Sequence, residues 1–149
     1  MPARDRFHSE VRRALQNDGW RITDDPLRLK WGRRDLFVDL GAEQVLAAEK
    51  GPTKIAVEVK SFLGPSVVDD LEKAVGQFLI YQDLLDNLDP ERQLYLAVTE
   101  ATFENVFDDP LSQLLLRNRR LQVLVFDPQT EVIRQWTPEP PTARSSSAS

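Results

Sequence analysis

A long apolar segment in the middle of the chain constrains its fold more than any other feature. Ser66, with Asp69 three residues later, is a capping-box-like start for a helix, and the residues from there to about Leu88 are apolar on most of their surface. Such a helix needs neighbours on several sides, so we expect it to be central. Strand-like segments precede and follow it, at Lys54–Lys60 and Gln93–Val98. The sequence therefore predicts an α/β domain.

The remaining elements are predicted from two periods of apolar residues, about 3.6 residues for a helix and two for a strand. Apolar side chains at helical spacing, ended by Gly19, predict a first helix from Ala3 to Asp18. The segment Thr102–Asn118 predicts broken helical turns around Pro110. Further strands are predicted at Trp20–Ile22, Leu27–Trp31, Leu36–Leu40, Gln44–Ala48, Leu121–Phe126 and Val132–Trp136.

Length and composition indicate a single domain. A chain of 149 residues fits one compact unit, which we assign to residues 1–137. Residues 138–149 are rich in Pro, Ser and Ala, so we expect a disordered tail there. The sequence has no apolar run long enough to span a bilayer, no secretory signal and no cysteine. We therefore expect a soluble, cytoplasmic protein without thiol chemistry, disulfides or zinc–thiolate sites.

The charge of the chain limits the classes of function. A net charge of −5 has the wrong sign for a protein that binds nucleic acid through a broad basic surface. It argues less against a metal-dependent nuclease, because clustered carboxylates attract cations before a phosphate approaches. His8 is the single histidine, which nearly excludes histidine metal sites and Ser-His-Asp triads. We expect His8 on the solvated surface of the first helix.

Two acids and a lysine occupy strand positions where apolar side chains are expected. In the segment KIAVEVK the period of two places Glu58 and Lys60 on one face, and Asp39 is an acid within the apolar segment LFVDLG. If the strands are neighbours, Asp39 and Glu58 converge on one hard cation, for which Mg²⁺ is the natural choice, and the Val59 carbonyl is a further ligand. Lys60 would orient water or neutralise charge on the phosphorus. These residues predict metal-dependent phosphodiester cleavage.

Each of these residues also has a structural interpretation. Glu58 and Lys60 would form a partly exposed ion pair if their strand lay at a sheet edge. Asp39 would cap the turn at Gly41. Five other charged residues either contribute to the site or to contacts with its ligand, or are simply exposed to water. They are Glu10, Glu43, Glu49, Arg33 and Arg34. The pairing of Asp39 with Glu58 is what favours a functional site.

The spacing of the site residues resembles that of a known group of nucleases. Asp39 followed by Glu58-Val59-Lys60 is similar to the PD-(D/E)xK pattern of restriction-endonuclease-like nucleases. The chain departs from that pattern at Val38, which stands where the pattern has proline. This departure leaves the metal ligand intact but weakens the case for catalytic competence.

Three more residues extend this resemblance. Gln77 and Tyr81 lie four residues apart on one helical face and look like the QxxxY element of RecB-like nucleases, which would hold DNA or shape the pocket. The alternative is that they only pack a buried helix. Glu10 stands in the first helix, where that superfamily often carries an additional acid.

Over nearly its whole length the chain resembles the XisH family of excision-controlling factors. The similar segments include ARDRFHSEVRRAL, VDLGAEQVLAAEKGPTKIAVEVKSF, GQFLIYQDLL and LYLAV. The resemblance implies a restriction-endonuclease-like fold, with a mixed central sheet flanked by helices, and a role in DNA excision or rearrangement. It also implies Mg²⁺ or Mn²⁺ as cofactor, DNA and an XisI-like companion as partners, and a homodimer or hetero-oligomer.

A second function remains open at this point. On the same scaffold, the chain would be a catalytically silent regulatory subunit that binds an XisI-like partner. Intact Asp39, Glu58 and Lys60 favour the nuclease, whereas the acidic net charge favours the regulatory subunit. A metabolic protein of unrelated activity has less support, because the sequence has no glycine-rich nucleotide-binding loop.

Overall fold

The structure, a computed structural model, describes residues 5–45 and 51–140. Its helices are α1 (His8–Asn17), α2 (Val67–Leu88), α3 (Glu100–Val106) and α4 (Pro110–Arg117). Its strands are β1 (Arg21–Asp24), β2 (Leu27–Trp31), β3 (Arg34–Val38), β4 (Leu40–Gln44), β5 (Thr53–Val59), β6 (Arg92–Thr99), β7 (Val123–Asp127) and β8 (Val132–Thr137). The predicted mixed α/β class is confirmed.

Six of the strands form one mixed sheet in the order β1-β4-β5-β6-β7-β8. β5, β6 and β7 run parallel, and the outer pairs β1–β4, β4–β5 and β7–β8 are antiparallel. Parallel neighbours need a long crossover, and α2 supplies it between β5 and β6. β2 and β3 pair only with each other, as a separate two-stranded hairpin.

The sheet separates two apolar cores. Because successive side chains of a strand point to opposite faces, β5 contributes to both cores. The core on the α2 side contains Ala56, Leu71, Phe78, Leu94 and Leu96, and the core on the α1 side contains Val11, Leu15, Ile55, Val57 and Tyr95. Glu58 shares the face of Ala56, so it lies under α2 within an otherwise apolar layer.

The predicted central helix is confirmed in position and in its start. Ser66 is the N-cap of α2, and its hydroxyl accepts a hydrogen bond from the Asp69 N–H at 3.2 Å. Leu71, Phe78 and Leu85 of this helix are buried in the core. None of the helices in the described part of the chain combines the length and apolar content needed to cross a membrane.

Replacing Ser66 with alanine should lower the free energy of unfolding by about 1 kcal/mol, because the Asp69 N–H loses its acceptor. Urea denaturation followed by circular dichroism measures this loss. Ser66→Asp is the matched control, since aspartate is an equally good N-cap and should keep the native stability. An equal loss in both variants would contradict the capping role.

The strand predicted from Leu36 to Leu40 is interrupted at Asp39. β3 ends at Val38 and β4 begins at Leu40, because β3 leaves the main sheet to pair with β2. Because of the interruption, the apolar residues on either side of Asp39 lie on opposite faces of the sheet. Val38 packs in the α2-side core and Leu40 in the α1-side core, whereas unbroken alternation predicts one shared face.

The prediction that His8 is a solvated surface residue is wrong. Only 4% of His8 is exposed, and its Nε2 lies 2.8 Å from Oδ1 of Asp25, in the β1–β2 connection. The Asp25 carboxylate satisfies Nε2 and so favours burial of the imidazole, whereas Nδ1 is buried without a hydrogen-bond partner among the described residues. Nothing in the local sequence indicates this contact, because its partners are 17 positions apart.

Several predicted boundaries differ or fall outside the described residues. The first helix begins at His8, after a turn in which the Asp5 carboxylate accepts a hydrogen bond from the Phe7 N–H. Gln44, the first residue of the strand predicted at Gln44–Ala48, is instead the last residue of β4, and positions 46–48 lie outside the described residues. Ala3, the predicted start of the first helix, and positions 141–149 of the predicted tail also lie outside the described residues. Pro138, the first residue of that tail, accepts a hydrogen bond from the Tyr95 hydroxyl at 2.7 Å.

Candidate active site

The interruption between β3 and β4 positions the first acid. Where β3 leaves the sheet, the N–H of Val59 on β5 loses its place in the antiparallel ladder. The Asp39 carboxylate takes that place, since its Oδ2 accepts a hydrogen bond from the Val59 N–H at 2.8 Å. The Asp39 N–H in turn donates to Oε1 of Glu58 at 3.0 Å. The structure thus brings Asp39 and Glu58 together through two hydrogen bonds to the main chain.

Glu58 is buried beside a second carboxylate and an ammonium. Only 7% of the residue is exposed, and its Oε2 lies 3.9 Å from Nζ of Lys60. Burial, followed by the charge of Asp39, raises the pKa of Glu58 to about 8. The ammonium of Lys60 lowers the pKa without cancelling these effects. At neutral pH Glu58 therefore keeps its proton in the metal-free site.

The strand location of Glu58 excludes one structural interpretation drawn from the sequence. β5 lies inside the sheet between β4 and β6, so Glu58 and Lys60 are not a pair on an edge strand. Asp39 does cap a strand end, but it accepts from Val59 rather than from the turn at Gly41. Its carboxylate therefore has a structural bond and also lies next to a second acid.

The donor set fits a hard divalent cation. The carboxyl groups of Asp39 and Glu58 lie side by side, and the oxygens of such a pair are ligands that a doubly charged ion prefers. In a strand the N–H and C=O of a residue point to the same side, so the Val59 carbonyl faces the side that β3 has left. No group of three or more acidic or histidine side chains suited to a metal occurs in residues 5–45 and 51–140. The remaining ligands would be main-chain, water or phosphate oxygens.

Gln77 and Tyr81 lie beside the two acids. The Gln77 amide donates to the Tyr81 hydroxyl at 3.0 Å, one helical turn away on α2. Burial, and then the charge of Glu58, raises the pKa of the Tyr81 phenol, which places the hydroxyl within electrostatic range of that carboxylate. Oε1 of Gln77 is buried and has no hydrogen-bond partner among the described residues. Of these two residues, which the sequence singles out by their spacing, Tyr81 lies near both acids and Gln77 is held by Tyr81.

Other candidate residues are placed elsewhere. Glu10 is half-buried on α1, which packs on the opposite face of the sheet, and it does not complete a three-acid group with Asp39 and Glu58. Glu43 forms an ion pair with Arg21. Glu49 lies outside the described residues. Arg33 and Arg34 are exposed.

A hydrogen bond between Ser61 and Asp5, next to the site, was not predictable from the sequence. The Ser61 hydroxyl, directly after Lys60, donates to the Asp5 carboxylate, with both oxygens at 2.9 Å. This contact ties the residues before α1 to the end of β5. It joins positions 56 apart, which no local periodicity connects.

Replacing Asp39 with alanine should give a metal-free protein that is about 1–3 kcal/mol less stable than the asparagine variant. Alanine leaves the buried Val59 N–H without an acceptor, whereas the amide oxygen of asparagine keeps the bond. Both variants remove the same charge next to Glu58, so their difference isolates the hydrogen bond. Urea denaturation in EDTA measures it, and equal stabilities would show that the bond contributes nothing.

Comparisons with known proteins agree with this fold. The family model described as "XisH protein" matches residues 1–134. A solved XisH family protein from Nostoc punctiforme PCC 73102 is 39% identical, with a TM-score of 0.77, over 87% of this chain and 97% of that one. A solved fdxN element excision controlling factor protein from Anabaena variabilis is 40% identical, with a TM-score of 0.79, over 90% of this chain and 99% of that one. No curated protein matches the chain.

Proposed function

The chain belongs to the XisH family, and on that basis we propose that it serves in controlling the excision of a DNA element, as a metal-dependent endonuclease. The observation that carries this proposal is the convergence of Asp39 and Glu58 on one buried site beside Lys60. The relative from Anabaena variabilis, named as an fdxN element excision controlling factor, supports the role in excision. The mixed sheet, with Glu58 and Lys60 at the end of a central strand, is compatible with a restriction-endonuclease-like fold.

Each side chain of the site has a role in this proposal. The carboxylates of Asp39 and Glu58 would hold the ion, with the Val59 carbonyl as a further oxygen ligand. When bound, Mg²⁺ or Mn²⁺ polarises the scissile phosphate and lowers the pKa of a coordinated water. The Lys60 ammonium, 3.9 Å from Glu58, stabilises the negative charge that grows on the phosphate oxygens. Tyr81 and Gln77 close the site on the α2 side.

The direct test is metal-dependent cleavage of DNA. The purified full chain, alone and with an XisI-like companion, is incubated with supercoiled plasmid in Mg²⁺, in Mn²⁺ and in EDTA. We expect nicked or linear plasmid only with the metals. No metal-dependent product from the chain or the complex, or equal product from a Glu58→Gln variant, would contradict nuclease activity.

A second candidate is a catalytically silent regulatory subunit that binds the companion protein. Its support is the apolar groove between α2 and α4, lined by Val68, Leu71, Val75, Leu111 and Leu115, in which Val68 and Leu111 are exposed. Clustered exposed apolar side chains are typical of protein interfaces. In this case excision in cells would survive Glu58→Gln but fail when Val68 and Leu111 are replaced by aspartate. The nuclease proposal predicts that Glu58→Gln abolishes excision.

A further inference from the structure

The β2–β3 hairpin stands apart from the main sheet. Its strands pair from Leu27 with Val38, at the base, to Trp31 with Arg34, at the tip. Gly32, with φ of 61°, and Arg33 form a two-residue turn. Glycine at the first position with positive φ is typical of tight hairpin turns. The hairpin is therefore a regular two-stranded ribbon with a defined tip.

The base of the hairpin is buried and its tip is exposed. Leu29 and Val38 pack in the α2-side core, which anchors a ribbon too small to be stable alone. Trp31 lies on the same face of the ribbon as Leu29 but extends beyond the core, with 52% of its surface exposed. A large aromatic side chain held at the end of an anchored ribbon is suited to contact another molecule.

The tip carries a positive charge in an acidic chain. Residues 28–35 contain four basic side chains and one acid, whereas the whole chain has a net charge of −5. Arg28 pairs with Asp35, at 3.0 Å between Nε and Oδ1. Lys30, Arg33 and Arg34 are exposed and form no ion pair within the described parts of the chain. Trp31 and Arg34 share one face of the ribbon and Lys30 lies on the other, so exposed cations occur on both faces of the tip and complement a polyanion with apolar groups between its charges.

The ribbon leads directly into the candidate active site. β3 runs from Arg34 at the tip to Val38, and the next residue is Asp39. At about 3.3 Å per residue, Arg34 lies within roughly 17 Å of Asp39 and Arg33 within roughly 20 Å. Duplex DNA carries a charge about every 1.7 Å along its axis, and its major groove, about 12 Å wide, admits a two-stranded β-ribbon. One duplex is thus able to reach both the acids and the ribbon.

We propose that the β2–β3 hairpin is a duplex-DNA-binding ribbon, in which Lys30, Arg33 and Arg34 contact phosphates and Trp31 contacts sugars and base edges in the groove. This inference rests on the proposed function, since it assigns the DNA-contacting surface of the same site. The ribbon supplies the local positive surface that the net charge of the chain does not.

The test compares two triple variants that each remove three positive charges. Lys30, Arg33 and Arg34 are replaced by glutamine in one variant, and Arg117, Arg119 and Arg120, exposed near the C-terminal end of α4, in the matched control. Binding to a fluorescent 20-base-pair duplex is measured by anisotropy in EDTA at several salt concentrations. We expect the hairpin variant to bind at least about tenfold more weakly and to lose about 2–3 units of salt slope. The control should change less than threefold.

The Trp31→Ala variant tests the contribution of the tryptophan separately from that of the charges. It should weaken binding several-fold while keeping the salt slope, because it removes contacts to sugars and bases but no phosphate contact. Equal losses in the two triple variants, no loss in the hairpin variant, or no binding by the unaltered chain would overturn the inference. Binding in EDTA requires no cleavage, so this experiment tests the ribbon independently of nuclease activity, which the plasmid assay tests.

Discussion

Replacing Glu58 with glutamine is expected to reduce the rate of metal-dependent DNA cleavage at least about a hundredfold. The amide is nearly the same size as the carboxylate and still accepts the hydrogen bond from the Asp39 N–H, so the fold is kept. What is lost is one of the two charges that would hold the ion. Initial rates of plasmid nicking at fixed Mg²⁺ measure the effect.

Glu104→Gln is the matched control for this experiment. It makes the same chemical change on an exposed part of α3 and should leave the rate unchanged. Lys60→Ala should also slow cleavage strongly while changing the affinity for Mg²⁺ much less, because the ammonium acts on the phosphate rather than as a ligand. Cleavage that is insensitive to both Glu58→Gln and Lys60→Ala would show that the catalytic groups lie elsewhere.

The metal-free chain should lose stability as the pH rises from about 5 to 8.5. The folded state raises the pKa of Glu58 from its ordinary 4.5 to about 8, so over this interval the folded chain keeps a proton that the unfolded chain releases. The free energy of unfolding then falls with pH, by at most about 5 kcal/mol for a shift of this size. Urea denaturation in EDTA across this range should show a decline that is absent in Glu58→Gln.

Addition of Mg²⁺ should reverse this decline. Above pH 8 Glu58 is largely ionised and a bound cation neutralises its charge, whereas at pH 6 the ion has to displace the proton on Glu58. At a concentration a hundred times the dissociation constant, the ion should stabilise the fold by about 2.7 kcal/mol. A rise in unfolding temperature that is equal at pH 6 and 8.5, or equal in Glu58→Gln, would contradict a shared metal site.

The sequence predicted those parts of the molecule that depend on local periodicity. The start and length of α2 followed from Ser66 and the apolar surface, and the facing of Glu58 and Lys60 followed from the period of two in β5. The proximity of Asp39 and Glu58 was predicted on the condition that their strands were neighbours. In the structure the pairing of β4 with β5 begins with Leu40 opposite Val57, and Asp39 is the residue directly before this paired segment.

The features that escaped prediction depend on contacts between distant positions. The separate β2–β3 hairpin reassigns Val38 to the core under α2, and no local pattern distinguishes this from one continuous strand. The burial of His8 depends on Asp25, and the tie between α1 and β5 depends on Asp5 and Ser61. Each is a tertiary contact that overrides the local preference for exposure.

The two hydrogen bonds between Asp39 and β5 have a consequence for ion uptake. Because main-chain groups of Val59 and Asp39 itself hold both carboxylates in place, their conformational entropy is lost during folding rather than when an ion arrives. A preorganised pair of this kind gains affinity by avoiding that entropic cost at binding. Occupancy should then depend mainly on competition between the cation and the proton, and ions should exchange without movement of the strands.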